Sequence, residues 1–184
     1  MSKNEGKIFE EQFKKSVNKL GILFERFPDS NKFGQFTNES TRFTLNSPCD
    51  CFMFDSKKLF YLELKHTGNP GISFNQPPTE KTKKTVMIKP HQVKSLLERS
   101  QYTNVACGLV LDFADRETKT KFIEGGTYFV EINTFVDWCN AVAKKSINLE
   151  DCKMIGIKID RFKKQKYYAY DIEKLINDIG LCYE

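Results

Sequence analysis

Apolar residues at helical spacing open the chain: Phe9, Phe13, Val17 and Leu20 recur every three or four positions, and Gly21 follows. The pattern predicts a helix over 3–20 with a glycine at its C-terminal end. A short apolar run predicts a strand over 22–27. Asn, Ser, Thr and scattered Phe then fill 28–47, which reads as a long loop or protruding hairpin. Two strands follow over 49–55 and 58–66, joined by the turn Asp55, Ser56 and Lys57, and so short a connection makes them antiparallel neighbours.

A second loop, 67–89, carries Gly68, Pro70, Gly71, Pro77 and Pro78. Pro90 suits the first turn of a helix whose apolar face is Val93, Leu96 and Leu97. The run 104–113 is apolar almost throughout, as a central strand covered on both faces would be. Further elements are a strand over 127–132, a helix over 134–144 with Phe135, Val136, Trp138 and Cys139 inward, a strand over 154–159 and a helix over 172–179. No repeat interrupts this order. It predicts one α/β domain over 1–184, a mixed sheet flanked by helices.

Composition narrows the class only a little. The 184 residues carry 29 Lys+Arg against 24 Asp+Glu, a net charge of +5. That surplus is compatible with nucleic acid but does not demand it. The sequence has no apolar run of about 20 residues, the length that spans a bilayer. The six cysteines include no C-x-x-C pair, so zinc-ribbon and thioredoxin-like readings have no support. Cys49 and Cys51 alone are a poor soft-metal site. Reduced, mostly buried thiols in a cytoplasmic protein are the expectation.

The candidate chemistry lies in Pro48, Cys49 and Asp50, then Glu63, Leu64 and Lys65. Alternation along a strand sends Glu63 and Lys65 to one face and Leu62 and Leu64 to the other. The antiparallel partner can set Asp50 beside Glu63. Two adjacent carboxylates repel and call for a cation, and oxygen ligands suit Mg²⁺ or Mn²⁺, which also take phosphate oxygens. Such an ion polarises a phosphate and activates water, and Lys65 can hold that water or stabilise charge growing on phosphorus. A solvated strand face carries Glu-x-Lys as well, so the triplet by itself leaves both readings open.

The ordered set resembles the PD-(D/E)xK nuclease superfamily, and within it the RecU-type Holliday-junction resolvases. Gly6 and Glu10 look like that family's Gly-x-x-x-Glu on the first helix. Asp50 and Glu63-Leu-Lys65 match its aspartate and E-x-K strand, and His91-Gln92 is similar to its His-Gln. Tyr128 with Phe129, Phe135 with Trp138, and Lys145 to Ile147 follow in the family's order. Pro48 stands where the family tends to have Thr. The loop between Lys65 and Gln92 is longer than the family's, and the segment between Phe27 and Asp50 is shorter.

The resemblance implies a restriction-endonuclease-like fold and a homodimer that nicks four-way DNA junctions symmetrically with Mg²⁺, Mn²⁺ substituting. Asp50, Glu63 and Gln92 would hold the metal; Lys65, Glu10, Asp50 and Glu63 would carry catalysis. On such a nuclease the basic positions Lys81, Lys83, Lys84, His91, Arg161, Lys163 and Lys164 become phosphate contacts. Phe33, Phe36 and Phe43 could stack on unpaired bases or pack in a dimer contact. The other readings are a different nuclease on the same scaffold and a non-catalytic nucleic-acid-binding module. The second would need an acid or the lysine to be missing, and all are present.

Overall fold

The structure, a computed structural model, describes residues 3–28, 47–83, 85–165 and 167–182. The first helix, α1 (Lys3–Asn18), buries Phe9, Phe13 and Val17 and stops before Gly21, whose φ of 69° is left-handed. Strand β1 (Leu23–Arg26) follows. The segment predicted as a loop or hairpin, with Phe33, Phe36 and Phe43, lies outside the described residues except at its ends. There the Ser47 hydroxyl donates to the Pro28 carbonyl at 2.7 Å and brings the two ends together.

Strands β2 (Cys51–Phe54) and β3 (Leu59–Thr67) form the expected antiparallel pair. Asp55 accepts at Oδ1 from the amides of Lys57 (2.9 Å) and Lys58 (2.7 Å), which closes the turn around Ser56 with its φ of 75°. Strand β4 (Gly71–Ser73) interrupts the second loop, α2 (Pro90–Arg99) starts at its proline, and β5 (Val105–Phe113) is buried from Ala106 onward. A small hairpin, β6 (Arg116–Glu117) and β7 (Phe122–Ile123), precedes β8 (Gly126–Glu131).

Helix α3 (Ile132–Ala141) begins earlier than its apolar spacing predicts. The cause is local: Glu131 caps it, its carboxylate accepting from the Thr134 amide at 2.8 Å. The expected strand over 154–159 is shortened to β10 (Ile157–Ile159), preceded by β9 (Ser146–Asn148) and by α4 (Leu149–Ile155), which takes up 154 and 155. Asn148 and Asp151 cap each other's amides at 2.9 and 3.1 Å, so the chain winds into a helix before the strand begins. Strands β11 (Arg161–Lys163) and β12 (Tyr168–Tyr170) pair with each other, and α5 (Ile172–Cys182) ends the described chain.

The main sheet runs β1-β2-β3-β5-β8-β10. Only β3 and β5 are parallel, with α2 in the crossover between them, and the sheet is therefore mixed. Helices α1 and α5 cover one face over Phe60, Leu62, Leu64, Val110 and Phe129. Helices α2, α3 and α4 cover the other over Leu109, Leu111 and Val130. Each fully buried Leu or Phe contributes about 1.5–3 kcal/mol, so two-sided burial is what holds the central strands. The period-2 alternation of β3 then decides the chemistry: Leu62, Leu64 and His66 turn toward α1, and Glu63 and Lys65 toward α2.

Candidate active site

Asp50 belongs to no strand; it occupies the bend before β2. Its carbonyl accepts from the Phe27 amide and its Oδ2 from the Leu64 amide, each at 3.0 Å. Two backbone bonds thus fix the carboxylate beside the C-terminal half of β3. The Lys65 ammonium lies 3.5 Å from Asp50 Oδ2 and donates at closer range to Glu63 Oε1. One cation therefore bridges the two acids.

Glu63 is wholly buried. The Gln92 side-chain amide nitrogen donates to Glu63 Oε1, while the Gln92 oxygen accepts from the Lys89 amide at 2.8 Å. Gln92 thus reaches the site, as the family resemblance implies, but with its NH₂ inward and its oxygen committed to capping α2. Glu63 Oε2 has no hydrogen-bond partner among the described residues. Burial pushes the Glu63 carboxyl up to about 8, against the pull of Lys65 and with the push of Asp50. Lys65 is held above the ordinary lysine value: burial opposes its charge, but Glu63 and Asp50 outweigh it.

Glu10 lies on the other side of α1's apolar stripe. It pairs with Arg26 at 2.8 Å and lines, with Asp50, Arg26 and Lys14, a cavity of about 200 Å³. His91 opens α2 and is exposed; partial burial, then Lys89 and Lys65, lower its pKa. Lys81 and Lys83 are exposed on the loop leading into that helix, and Lys84 lies outside the described residues. The basic positions 161–164 belong to a different face. Arg161 is spent there, donating to Asp112 (3.3 Å), the Phe113 carbonyl (3.1 Å) and Asp115 (2.5 Å). Lys163 and Lys164 are exposed.

One polar cluster escaped sequence reasoning. His66 Nδ1 lies 2.6 Å from Asp112 Oδ2, and Thr127 donates to Asp112 Oδ1 at 2.5 Å. The available signal was a lone aspartate inside the apolar run 104–113.

Among the described residues no group of three or more His, Cys, Asp or Glu side chains is placed to hold a metal ion. The donors that do converge are the Asp50 and Glu63 carboxylates. Their chemistry fits a hard divalent ion: an ammonium already bridges them, and a buried oxygen, Glu63 Oε2, lacks a partner. Cys49 and Cys51 are poor candidates for a soft ion. Burial pushes both thiols well up, with Glu63 and Asp50 adding to the push, and keeps them protonated. Cys49, Cys51, Cys107, Cys139 and Cys152 are all buried and free of disulfides. No helix among the described residues is long and apolar enough to cross a membrane.

Fold and site together define a mixed-sheet α/β protein with a carboxylate pair bridged by a lysine beside a central strand. The chain belongs to the same family as the SPbeta prophage-derived uncharacterized protein YotM of Bacillus subtilis (strain 168). The two are 32% identical over 188 residues, an alignment covering 96% of this chain and 87% of that one. No family model matches the chain. Among solved structures it is similar to Hjc, a Holliday junction resolvase from the archaeal hyperthermophile Archaeoglobus fulgidus. The TM-score is 0.49 and the identity 12%, over 83% of this chain and 95% of that one.

Proposed function

We propose that this chain is a single-domain, Mg²⁺-dependent DNA endonuclease acting on branched DNA, four-way junctions first among its substrates. The observation that supports it best is the Asp50–Lys65–Glu63 bridge beside β3, with Glu63 buried and one of its oxygens unpartnered. Asp50 and Glu63 would hold Mg²⁺, or Mn²⁺ in its place, and the ion when bound supplies Lewis acidity toward a phosphate and its attacking water.

The chain's own groups have distinct tasks in this reading. The Leu64 amide and the Gln92 NH₂ orient the two carboxylates. Gln92 acts here as a positioning residue, because its oxygen is engaged at Lys89. Lys65, kept charged by both acids, would donate to the oxygens of a five-coordinate phosphorus as negative charge grows there. Glu10, paired with Arg26, lines the pocket beside Asp50 and would assist that acid in catalysis. Lys81, Lys83 and His91 would meet phosphates along the approach to α2.

Junction preference and a homodimer rest on the RecU-type sequence pattern. Incubating the protein with labelled four-way junction, linear duplex and single strand, with and without Mg²⁺, tests the reading. Symmetric nicks in the junction that require Mg²⁺ are expected. Equal cutting of simple duplex would assign a different nuclease on this scaffold, and binding without cutting would assign a non-catalytic module.

A further inference from the structure

A larger cavity, about 470 Å³, opens on the α1 face of the sheet, away from the Glu63–Lys65 side. Small-ligand sites run about 300–1,000 Å³, so it can take a group the size of a mononucleotide. Helix α1 stands between this cavity and the acid cluster: its Ile8, Phe9 and Gln12 line the cavity, whereas its Glu10 and Lys14 line the pocket beside Asp50.

The cavity holds an oriented imidazole. Asp112 is nearly buried and engaged on both oxygens: Oδ1 accepts from Thr127 and Arg161, and Oδ2 faces His66 Nδ1. This fixes the ring, and its other nitrogen has no hydrogen-bond partner among the described residues. Aromatic side chains line the cavity around it: buried Phe9 lies 6.1 Å from the His66 ring between centroids, Tyr168 lies under the Arg161 guanidinium at 4.7 Å, and Tyr167 is exposed.

The charges in the cavity are unequally spent. Asp115 is consumed by the Gly125 amide and Arg161 at one oxygen and by the Tyr168 hydroxyl at the other. Asp112 is consumed as described. Lys163 and Lys164 line the rim, are exposed and form no ion pair among the described residues; Glu5 on α1 is the remaining acid there. What is left to meet a ligand is two ammonium groups and an imidazole beside aromatic faces. That combination recognises a phosphate carried by a stackable base.

We propose that this cavity binds the terminal phosphate of a nucleotide, free or at the end of a DNA strand. The phosphoryl group lies on His66, Lys163 and Lys164, and the base lies against the aromatic wall. The site does not depend on the nuclease reading.

The chain has two histidines, so ring NMR signals report each separately, and His66→Gln assigns them. With EDTA present, thymidine monophosphate, thymidine, a 5′-phosphorylated tetranucleotide and its 5′-hydroxyl counterpart are each titrated. A saturable shift of the His66 signals by a phosphorylated ligand is expected, with affinity about ten-fold weaker in Lys163→Ala/Lys164→Ala. Response to the monophosphate identifies a nucleotide site, and response to the phosphorylated strand alone identifies a strand-end site. Unmoved His66 signals, equal shifts from the unphosphorylated partners, or unchanged affinity in the exposed-lysine double variant would overturn the proposal. The metal-free titration does not involve cutting, so its failure and a blank cleavage assay are separate results.

Discussion

The amide of Leu64 donates to Oδ2 of Asp50 at 3.0 Å, so the residue between Glu63 and Lys65 fixes the acid that precedes β2. Asp50 is thereby placed by backbone, while Glu63 and Lys65 reach it from the opposite side of the same strand segment. The position of Asp50 is thus tied to the β2–β3 pair, and the Lys65 and Gln92 side chains complete the site.

Asp50→Asn and Glu63→Gln should each abolish Mg²⁺-dependent cleavage while DNA binding persists, because the exposed lysines proposed to meet phosphate are untouched. Gel-shift and cleavage assays on the same preparations check this. Undiminished cutting by either variant would remove these acids from the site.

Lys65→Ala should slow cleavage by about two to three orders of magnitude, as loss of a donor to developing charge does. Its ammonium competes with any ion for Glu63 Oε1 and Asp50 Oδ2, so Mn²⁺ affinity should hold or rise. Calorimetry showing lost metal binding in a folded variant would make the lysine structural.

Glu63 makes stability depend on pH in a definite direction. Unfolded, a glutamate releases its proton near 4.5; here burial delays release to about 8. Between those values the native state holds the extra proton, so raising the pH through this window destabilises the fold, by at most about 1.4 kcal/mol per unit. The upward shift of Lys65 acts only above the ordinary lysine range, outside the window. Urea unfolding in EDTA from pH 5 to 8.5 should show the decline, and Glu63→Gln should flatten it. A slope unchanged in the variant would place the titration elsewhere.

Symmetric cutting of a junction needs two sites at a set separation, which a C2 dimer supplies. Light scattering should give about 43 kDa, roughly twice the 21.4 kDa chain. A monomer that cuts duplex as fast as junctions would favour the alternative nuclease, with Asp50, Glu63 and Lys65 keeping their roles.

Much of this was readable from local pattern. Phe9, Phe13 and Val17 marked α1, and the Asp55–Lys57 turn marked the β2–β3 hairpin. The unbroken apolar run after Asn104 marked the central strand. Period-2 alternation placed Glu63 and Lys65 on one face because side-chain direction in a strand is a local property. The helix α4 was missed because its start depends on the reciprocal capping of Asn148 and Asp151, which apolar spacing does not register.

Order along the chain thus determined which residues share a strand face, where the first helix stops and which acids have a lysine two positions away. Only the tertiary structure decided the partners. Gln92 turned its NH₂ to Glu63 because its oxygen closes the start of α2. Arg161 left the pool of phosphate contacts because Asp112 and Asp115 meet it. His66, one residue beyond Lys65, went to the other face and found Asp112 across the parallel β3–β5 pair. These contacts join residues tens of positions apart, and the energy of each depends on burial that exists only once the sheet is covered on both sides.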